Sequence, residues 1–154
     1  MMNLIEQLKR HEGFRSDYYQ CTAHKQTIGY GRNVDNNNFT DDELFMLGRD
    51  EFDLEPMSRD EAEHLLENDV LAIERKLKKR IYMRHLNSAR KAVCINMAFN
   101  LGVAGFLKFK NAIRAIEGGH YDTAATEMLD SRWARQVPSR AKELIAQMKE
   151  GAWQ

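Results

Sequence analysis

The hydrophobic pattern of the first 30 residues changes from a helical to a strand-like spacing. Apolar side chains within residues 4–8 recur at helical spacing, and Gly13 predicts the end of that helix. The segments 18–19 and 27–30 contain aromatic and β-branched residues that favour short strands, joined by a polar turn over 22–26. This part of the chain therefore predicts one helix followed by a small β structure.

Two capping boxes predict where the next helices begin. Thr40 to Glu43 precedes a short helix, and Ser58 to Glu61 precedes a long helix that ends near Arg80. The long helix carries one continuous apolar stripe, made of Ala62, Leu65, Leu66, Val70, Ile73, Leu77 and Ile81. A helix of this length is suited to connect two lobes.

The pattern of the remaining residues is helical throughout. Residues 89–101 are apolar on nearly all sides, which is typical of a buried central helix, and Gly102 can cap its end. Two further helical segments, 108–117 and 121–129, follow, and Pro138 is suited to the first position of a last helix.

These elements predict a single α+β domain, mainly α, over residues 1–154. A small α+β lobe (13–57) is joined by a connecting helix (58–80) to a larger helical lobe (81–154). We expect the first helix (2–12) to pack with the helical lobe, because the β segment is too small to bury it. A cleft between unequal lobes is a usual place for a ligand site.

The composition excludes several classes of protein. Apolar residues make up 43% of the chain and charged residues 30%, ordinary values for a globular protein. The 23 Lys and Arg residues equal the 23 Asp and Glu residues, which argues against nucleic-acid binding. Residues 1–10 lack the apolar run of a secretory signal, and no later segment approaches a membrane span. We therefore expect a cytoplasmic protein that does not enter a membrane.

The two cysteines predict neither a disulfide nor a metal site. A structural disulfide is uncommon in a reducing compartment, and Cys21 and Cys94 lack the paired spacing of zinc ligands. Cys94 lies in an apolar run and is interpreted as a small buried hydrophobe.

Glu12, Cys21 and Thr27 are the candidate catalytic residues. Glu12 closes the first helix, and the thiol and the hydroxyl follow nine and six residues later. A small glycosidase needs a carboxylic acid that stays protonated near neutral pH, which Glu achieves when desolvation raises its pKa. It also needs polar groups that hold a water molecule. The order and spacing of the three residues therefore indicate a candidate cell-wall hydrolase.

The spacing of Glu12, Cys21 and Thr27 resembles the active-site pattern of the phage-type lysozymes (endolysins), in particular those of the T-even phages. Further segments resemble the same family in the expected order, namely 27–31, 60–63, 95–99, 131–133 and 138–141. The resemblance extends from Met2 to Trp153 and implies a two-lobed, lysozyme-like fold.

The resemblance also implies roles for individual residues. Glu12 matches the family's general acid, and Thr27 matches its catalytic threonine. Cys21 stands where the T-even enzymes have an aspartate, although other endolysins of this type have a cysteine there. Phe99 matches a substrate-contacting aromatic residue.

Other family positions differ in residue type. Asn33, Ala112 and Glu127 occupy positions of substrate contacts that are not preserved in type, so contacts to the glycan or its peptide are expected to differ. Of these three, Asn33 is kept together with Phe99 as a candidate substrate-binding residue. Arg32 matches a histidine that pairs with an aspartate, which is Asp69 in this chain. We therefore expect an ion pair between Arg32 and Asp69.

The activity implied by the resemblance is hydrolysis of the β-1,4 bond between N-acetylmuramic acid and N-acetylglucosamine in bacterial peptidoglycan. Glu12 would protonate the leaving oxygen, while Cys21 and Thr27 hold water. A free thiol has a pKa of about 8.5, so Cys21 as a base would need help from His24 or Lys25. Alternatively, Cys21 attacks the sugar; we favour water activation. No metal or organic cofactor is implied.

Two other functions stay open at this point. A lytic transglycosylase can work with one catalytic Glu and no second carboxylate, although Thr27 at the hydrolase spacing argues against it. A non-catalytic peptidoglycan-binding module would keep Phe99 and the cleft without needing Glu12.

The expected partner is bacterial peptidoglycan. An endolysin without an export signal depends on a membrane-permeabilising holin for its release. We therefore expect a monomer in the host cytoplasm that acts on the cell wall after membrane permeabilisation.

Overall fold

A computed structural model describes residues 3–22 and 24–154, which form nine α-helices and one three-stranded sheet. Met2 of the predicted first helix and Ala23 of the predicted turn lie outside the described residues. The elements in chain order are α1 (Leu4–Glu12), β1 (Arg15–Gln20), β2 (Gln26–Gly29), β3 (Arg32–Asn33), α2 (Asp41–Leu47), α3 (Arg59–Lys78), α4 (Ser88–Leu101), α5 (Val103–Phe106), α6 (Lys110–Glu117), α7 (Tyr121–Leu129), α8 (Arg132–Gln136) and α9 (Pro138–Glu150).

The mainly helical α+β fold predicted from the sequence is confirmed. Both capping boxes are present: the Thr40 hydroxyl accepts from the Glu43 backbone N–H, and the Ser58 hydroxyl accepts from the Glu61 backbone N–H. In each box the glutamate side chain accepts from the backbone of the first residue. The last helix begins at Pro138, as predicted. Local sequence rules therefore fix several helix starts in this chain.

Three short elements are absent from the sequence-based prediction. They are β3, α5 and α8, which contain two, four and five residues. A periodic pattern needs more residues than these to be recognisable, so nothing in the hydrophobic spacing indicated them.

The chain divides into two compact units, with the division inside α3. The N-terminal unit is Ile5–Asp69, and the helical unit is Val70–Gln154 together with Asn3 and Leu4. The predicted lobe boundaries at 13, 57 and 80, and the packing of the first helix with the helical lobe, stay predictions.

The N-terminal unit contains the sheet, in which β2 lies between β1 and β3 and pairs antiparallel with both. An irregularity in the β1–β2 register lies between Arg15 and Tyr19. Ile28, Leu65 and Leu66 are among the fully buried apolar side chains of this unit.

The helical unit is built around one apolar core. Most of α4 is buried, which agrees with the prediction of a central helix over 89–101. Phe106, Trp133 and Leu144 belong to the same core, and Cys94 is fully buried in it. Burial raises the pKa of the Cys94 thiol to about 12, so this cysteine is a core residue, as predicted. Within residues 3–22 and 24–154, no helix is long and apolar enough to cross a membrane.

Candidate active site

Thr27 lies at the centre of the sheet, between two other polar side chains. It pairs with Tyr19 of β1 on one side and with Asn33 of β3 on the other. Residues paired directly across strands point their side chains to the same face, so these three side chains lie next to each other. Arg32, adjacent to Asn33, points to the opposite face. The sheet thus brings two predicted site residues, Thr27 and Asn33, onto one surface.

Cys21 and Thr27 are held by the same backbone carbonyl group. The Thr27 hydroxyl donates to the carbonyl oxygen of Lys25 at 2.9 Å, and the Cys21 backbone N–H donates to that oxygen at 2.9 Å. The His24 backbone N–H donates to the Cys21 carbonyl oxygen at 2.8 Å, with His24 at a φ of 59°. The connection between β1 and β2 therefore fixes the position of Cys21 relative to Thr27.

Glu12 is the last residue of α1, and its carboxylate lies against Gly31. Gly13 adopts a φ of 71°, and its N–H donates to the Lys9 carbonyl oxygen at 2.9 Å, which ends the helix. A Cβ atom at Gly31 would lie 2.5 Å from Glu12 Oε1, and the φ of Gly31 is 74°. Only a glycine allows the Glu12 carboxylate this close to the connection between β2 and β3.

Tyr19 lies within electrostatic range of both Glu12 and Cys21. The pKa of its phenol is raised, first by burial and then by the negative charge of Glu12. Cys21 raises the pKa further, while Arg15 lowers it; the Arg15 guanidinium lies 4.4 Å from the centre of the Tyr19 ring. Tyr19 therefore lies near both Glu12 and Cys21.

Sequence reasoning did not identify Tyr19 or Gly31 as site residues. Tyr19 precedes Cys21 by two residues, the period at which strand side chains return to one face, so a signal was present. For Gly31 no such signal exists, because its role depends on the approach of α1 in three dimensions.

A buried ion network lies at Arg32, on the opposite face of the sheet. The predicted ion pair with Asp69 is confirmed, with Arg32 Nη1 3.1 Å from Asp69 Oδ1. Sequence reasoning missed Glu43, which receives two hydrogen bonds from Arg32 at 2.7 and 3.0 Å. Arg32 also donates to the backbone carbonyls of Asn37 and Asn38. All three nitrogens of this guanidinium thus donate hydrogen bonds, which anchors β3 to α2 and α3.

The network contains two carboxylates and one guanidinium. Glu43 has a pKa lowered to about 2: burial opposes its charged form, but hydrogen bonds from Arg32 and Asn68 outweigh that effect. Asp69 has a pKa raised to about 6, mainly by burial, with Glu43 adding to the rise and Arg32 and Asn37 opposing it. The opposite pKa shifts of Glu43 and Asp69 agree with the hydrogen bonds, because Arg32 donates twice to Glu43 and once to Asp69. Asp69 is the carboxylate that takes up a proton first.

Phe99, the predicted aromatic contact, lies in α4 of the helical unit and is partly buried. Its neighbour Asn100 accepts a hydrogen bond from the Trp133 indole at 2.8 Å. The other four predicted site residues belong to the N-terminal unit.

The helical unit also contains an open groove of about 460 Å³. Phe109 and Trp133 supply aromatic surface to it, and Arg132 supplies a positive charge. Ala112 and Glu127 line the same groove, so these two of the differing family positions lie on one surface.

The family model of the phage lysozymes matches residues 9–149, which is most of the chain. The chain belongs to the phage lysozyme family. The match includes Glu12, Cys21 and Thr27, so the pattern identified in the sequence lies within the family region. The protein is accordingly a lysozyme-like cell-wall hydrolase, and peptidoglycan is the substrate that the family implies.

Three other proteins are similar to this chain in sequence. Probable T4-type lysozyme 2 of Dictyostelium discoideum is 29% identical over 97% of this chain and 95% of its own length. The pre-baseplate central spike protein Gp5 of Enterobacteria phage T4 is 29% identical over 93% of the chain, which corresponds to 27% of that protein. The endolysin of Acyrthosiphon pisum secondary endosymbiont phage 1 is 26% identical over 83% of the chain and 75% of its own length.

Within the part of the chain that the structure describes, no group of three or more His, Cys, Asp or Glu side chains is arranged to hold a metal ion.

Proposed function

We propose that this phage lysozyme is an endolysin that hydrolyses the β-1,4 bond between N-acetylmuramic acid and N-acetylglucosamine. The observation that carries the proposal is the position of the Glu12 carboxylate against Gly31, in the same unit as Cys21 and Thr27. A fixed carboxylic acid and a nearby group that holds water are the parts that glycoside hydrolysis needs.

Glu12 donates a proton to the leaving glycosidic oxygen. Its side chain is partly exposed, so it can reach a ligand, and the absence of a side chain at Gly31 leaves room for the carboxylate in this position. A general acid contributes about 10²–10⁴-fold when it is correctly positioned.

Cys21 activates the water, and Thr27 positions Cys21. Cys21 is partly exposed, whereas only 3% of Thr27 is exposed. The single proton of the Thr27 hydroxyl is donated to Lys25, whose carbonyl also holds the Cys21 backbone. Thr27 therefore stabilises the turn that carries the thiol, while the thiol faces the ligand.

Phe99 and Asn33 provide substrate contacts. Asn33 lies beside Thr27 on the sheet, and its side-chain oxygen accepts from the Asn36 N–H at 3.3 Å, which leaves its amide N–H groups for a sugar hydroxyl or acetamido group. Ala112 and Glu127 give the groove of the helical unit a different chemistry from that of family members with other residues at these positions.

In its biological setting the enzyme is a monomer that accumulates in the host cytoplasm. A holin permeabilises the membrane at the end of infection, the enzyme reaches the cell wall, and its hydrolysis of peptidoglycan releases the phage.

Digestion of purified peptidoglycan tests the proposal. The wild-type protein, Glu12→Gln and Glu6→Gln are compared, and the soluble fragments are analysed by mass spectrometry. Glu6 is an exposed glutamate of the same helix, so Glu6→Gln controls for the loss of a charge on α1. We expect fragments with hydrated reducing ends from the wild type and from Glu6→Gln, and none from Glu12→Gln.

The other outcomes point to the two alternative functions. Fragments one water lighter indicate a lytic transglycosylase, for which the absence of a second carboxylate at position 21 is the favouring observation. Glycan binding without release of fragments, unaffected by Glu12→Gln, indicates a binding module.

A further inference from the structure

The formal net charge of zero conceals two units of opposite charge. The N-terminal unit, Ile5–Asp69, contains 16 Asp and Glu residues against 7 Lys and Arg residues. The helical unit contains 16 Lys and Arg residues against 7 Asp and Glu residues. The helical unit alone therefore has the charge excess that favours association with polyanions.

The positive charge is concentrated between residues 75 and 84, which we call the basic segment. It contains six exposed cations in ten residues, namely Arg75, Lys76, Lys78, Lys79, Arg80 and Arg84. Glu74 Oε2 forms ion pairs with Lys78 Nζ at 3.5 Å and with Lys91 Nζ at 3.2 Å. Among residues 3–22 and 24–154, no carboxylate lies within ion-pair distance of the other five cations of the basic segment. These charges are therefore available to an external anion.

A column of stacked rings begins inside the basic segment. Tyr82 is 54% exposed, and its ring lies 4.9 Å from that of His85, at an interplanar angle of 14°. The His85 ring lies 6.5 Å from the Tyr121 ring, again at 14°, and the Arg90 guanidinium lies 3.6 Å from the centre of the Tyr121 ring. The exposed Tyr82 ring at the end of this column offers a flat surface to the apolar face of a sugar.

A polar pocket of about 520 Å³ continues the surface beyond Arg90. Arg90, His120 and Lys149 line it with basic groups, and Asp122 contributes one carboxylate. Arg90 donates to the Met148 and Lys149 carbonyls at 2.7 and 2.9 Å, which fixes its guanidinium in place. The column therefore connects Tyr82 of the basic segment with Arg90, which lines the pocket.

We propose that this surface of the helical unit binds a phosphate-bearing glycan of the bacterial envelope, separately from the catalytic residues. The cations bind the phosphates, and Tyr82 stacks on a sugar ring. The choice of an envelope glycan rests on the proposed function. A membrane surface fits less well, because insertion needs exposed apolar side chains and the basic segment contributes only Tyr82. Single-stranded nucleic acid also fits less well, because it uses successive open ring platforms and this column stacks its own rings on each other.

The test measures binding of the full chain carrying Glu12→Gln, so that the glycan probes are not hydrolysed during the measurement. The probes are poly(N-acetylglucosamine 1-phosphate), neutral N-acetylglucosamine hexamer, a 20-nucleotide thymidine strand, and phosphatidylglycerol–phosphatidylcholine vesicles. We expect tight, salt-sensitive binding to the phosphorylated glycan and at least about tenfold weaker binding to each of the other probes. Equal binding to the neutral hexamer, or preference for the DNA strand or the vesicles, overturns the proposal.

Two pairs of substitutions locate the surface. Lys79→Gln with Arg84→Gln should weaken binding of the phosphorylated glycan about tenfold or more. Arg135→Gln with Lys142→Gln removes the same charge from exposed positions outside the surface and should change binding less than twofold. An equal loss from both pairs means that only the net charge matters, which contradicts a defined site.

Tyr82→Ala distinguishes a glycan site from a phosphate site. It should weaken binding of the phosphorylated glycan while leaving binding of inorganic polyphosphate unchanged, and an equal effect on both contradicts the stacking role. Circular dichroism confirms the folding of each variant. If Glu12→Gln still cleaves bare peptidoglycan, the catalytic proposal fails while the binding result stands.

Discussion

The Glu12 carboxylate and the Gly31 α-carbon lie so close together that a methyl group at position 31 would lie 2.5 Å from Glu12 Oε1. The orientation of the proposed general acid thus depends on a residue that has no side chain and no chemistry of its own. Substitution of Gly31 can therefore be used to distinguish displacement of the Glu12 carboxylate from loss of folding.

Gly31→Ala should reduce hydrolysis of peptidoglycan roughly 100-fold, because displacement of a catalytic group by about 1 Å has an effect of that size. The substitution also introduces strain at a positive φ, which costs about 1–2 kcal/mol of stability. Turnover is measured at a temperature at which circular dichroism shows the variant to be folded.

Gly48→Ala is the matched control. Gly48 also has a positive φ, of 66°, but a Cβ atom there would meet nothing within 4 Å. The Gly48→Ala variant should lose as much stability as Gly31→Ala and should keep its activity. Equal activity losses in both variants would mean that the effect of Gly31→Ala comes from backbone strain.

Cys21→Asp should retain activity within about tenfold, and Cys21→Ala should lose roughly 10²-fold or more, because a carboxylate can replace a thiol as the water-activating group and a methyl group cannot. The measurement is the initial rate of release of reducing ends. Full activity of Cys21→Ala would remove the thiol from the mechanism.

Thr27→Val should cost about 1 kcal/mol of stability and also alter Cys21. The valine cannot donate to the Lys25 carbonyl, so this carbonyl loses one of the two hydrogen bonds that it accepts and the turn that holds Cys21 is weakened. The rate at which a disulfide reagent modifies the native protein reports this change, because Cys94 is fully buried and only Cys21 is accessible. Thr27→Ser should restore the wild-type rate; no difference between Val and Ser would contradict a positioning role for the hydroxyl.

The ion network predicts opposite pH dependences for its two acids. Because the pKa of Asp69 is raised from 3.8 to about 6 in the folded protein, the folded state binds a proton more tightly than the unfolded state. The contribution of Asp69 to stability is therefore present below pH 4 and is lost as the pH rises to about 6. Because the pKa of Glu43 is lowered from 4.5 to about 2, its contribution is present above pH 4.5 and is lost as the pH falls towards 2.

Urea unfolding between pH 2.5 and 7 checks both signs. Relative to Asp69→Asn, the wild type should lose about 1–3 kcal/mol between pH 4 and 7. Relative to Glu43→Gln, it should lose stability of a similar size between pH 4.5 and 2.5. A wild type that gains stability relative to Asp69→Asn as the pH rises would show that Arg32 outweighs burial at Asp69.

The sequence contained enough information for the features that depend on neighbouring residues. The helix starts at Ser58 and Pro138, the capping box at Thr40 and the burial of Cys94 follow from patterns a few residues long. The Arg32–Asp69 pair was predicted from resemblance alone, since no local pattern connects positions 37 residues apart.

The features that sequence reasoning missed depend on approach in three dimensions. Glu43 was assigned only to a capping box, yet its side chain also binds Arg32, because one carboxylate accepts several hydrogen bonds. Gly31 was noted only as part of a family motif, because its closeness to α1 has no signature in the chain. The roles of Glu12, Cys21, Thr27, Asn33 and Phe99 stay predictions until the variants are measured.

The division of the chain at Asp69 has a spectroscopic consequence. Both tryptophans, Trp133 and Trp153, belong to the helical unit, and the N-terminal unit contains none. Indole emission therefore follows the unfolding of the unit that carries the basic segment, and it does not report directly on the unit that carries Glu12. A tryptophan introduced at the exposed Phe45 or Phe52 would give the N-terminal unit a fluorophore of its own.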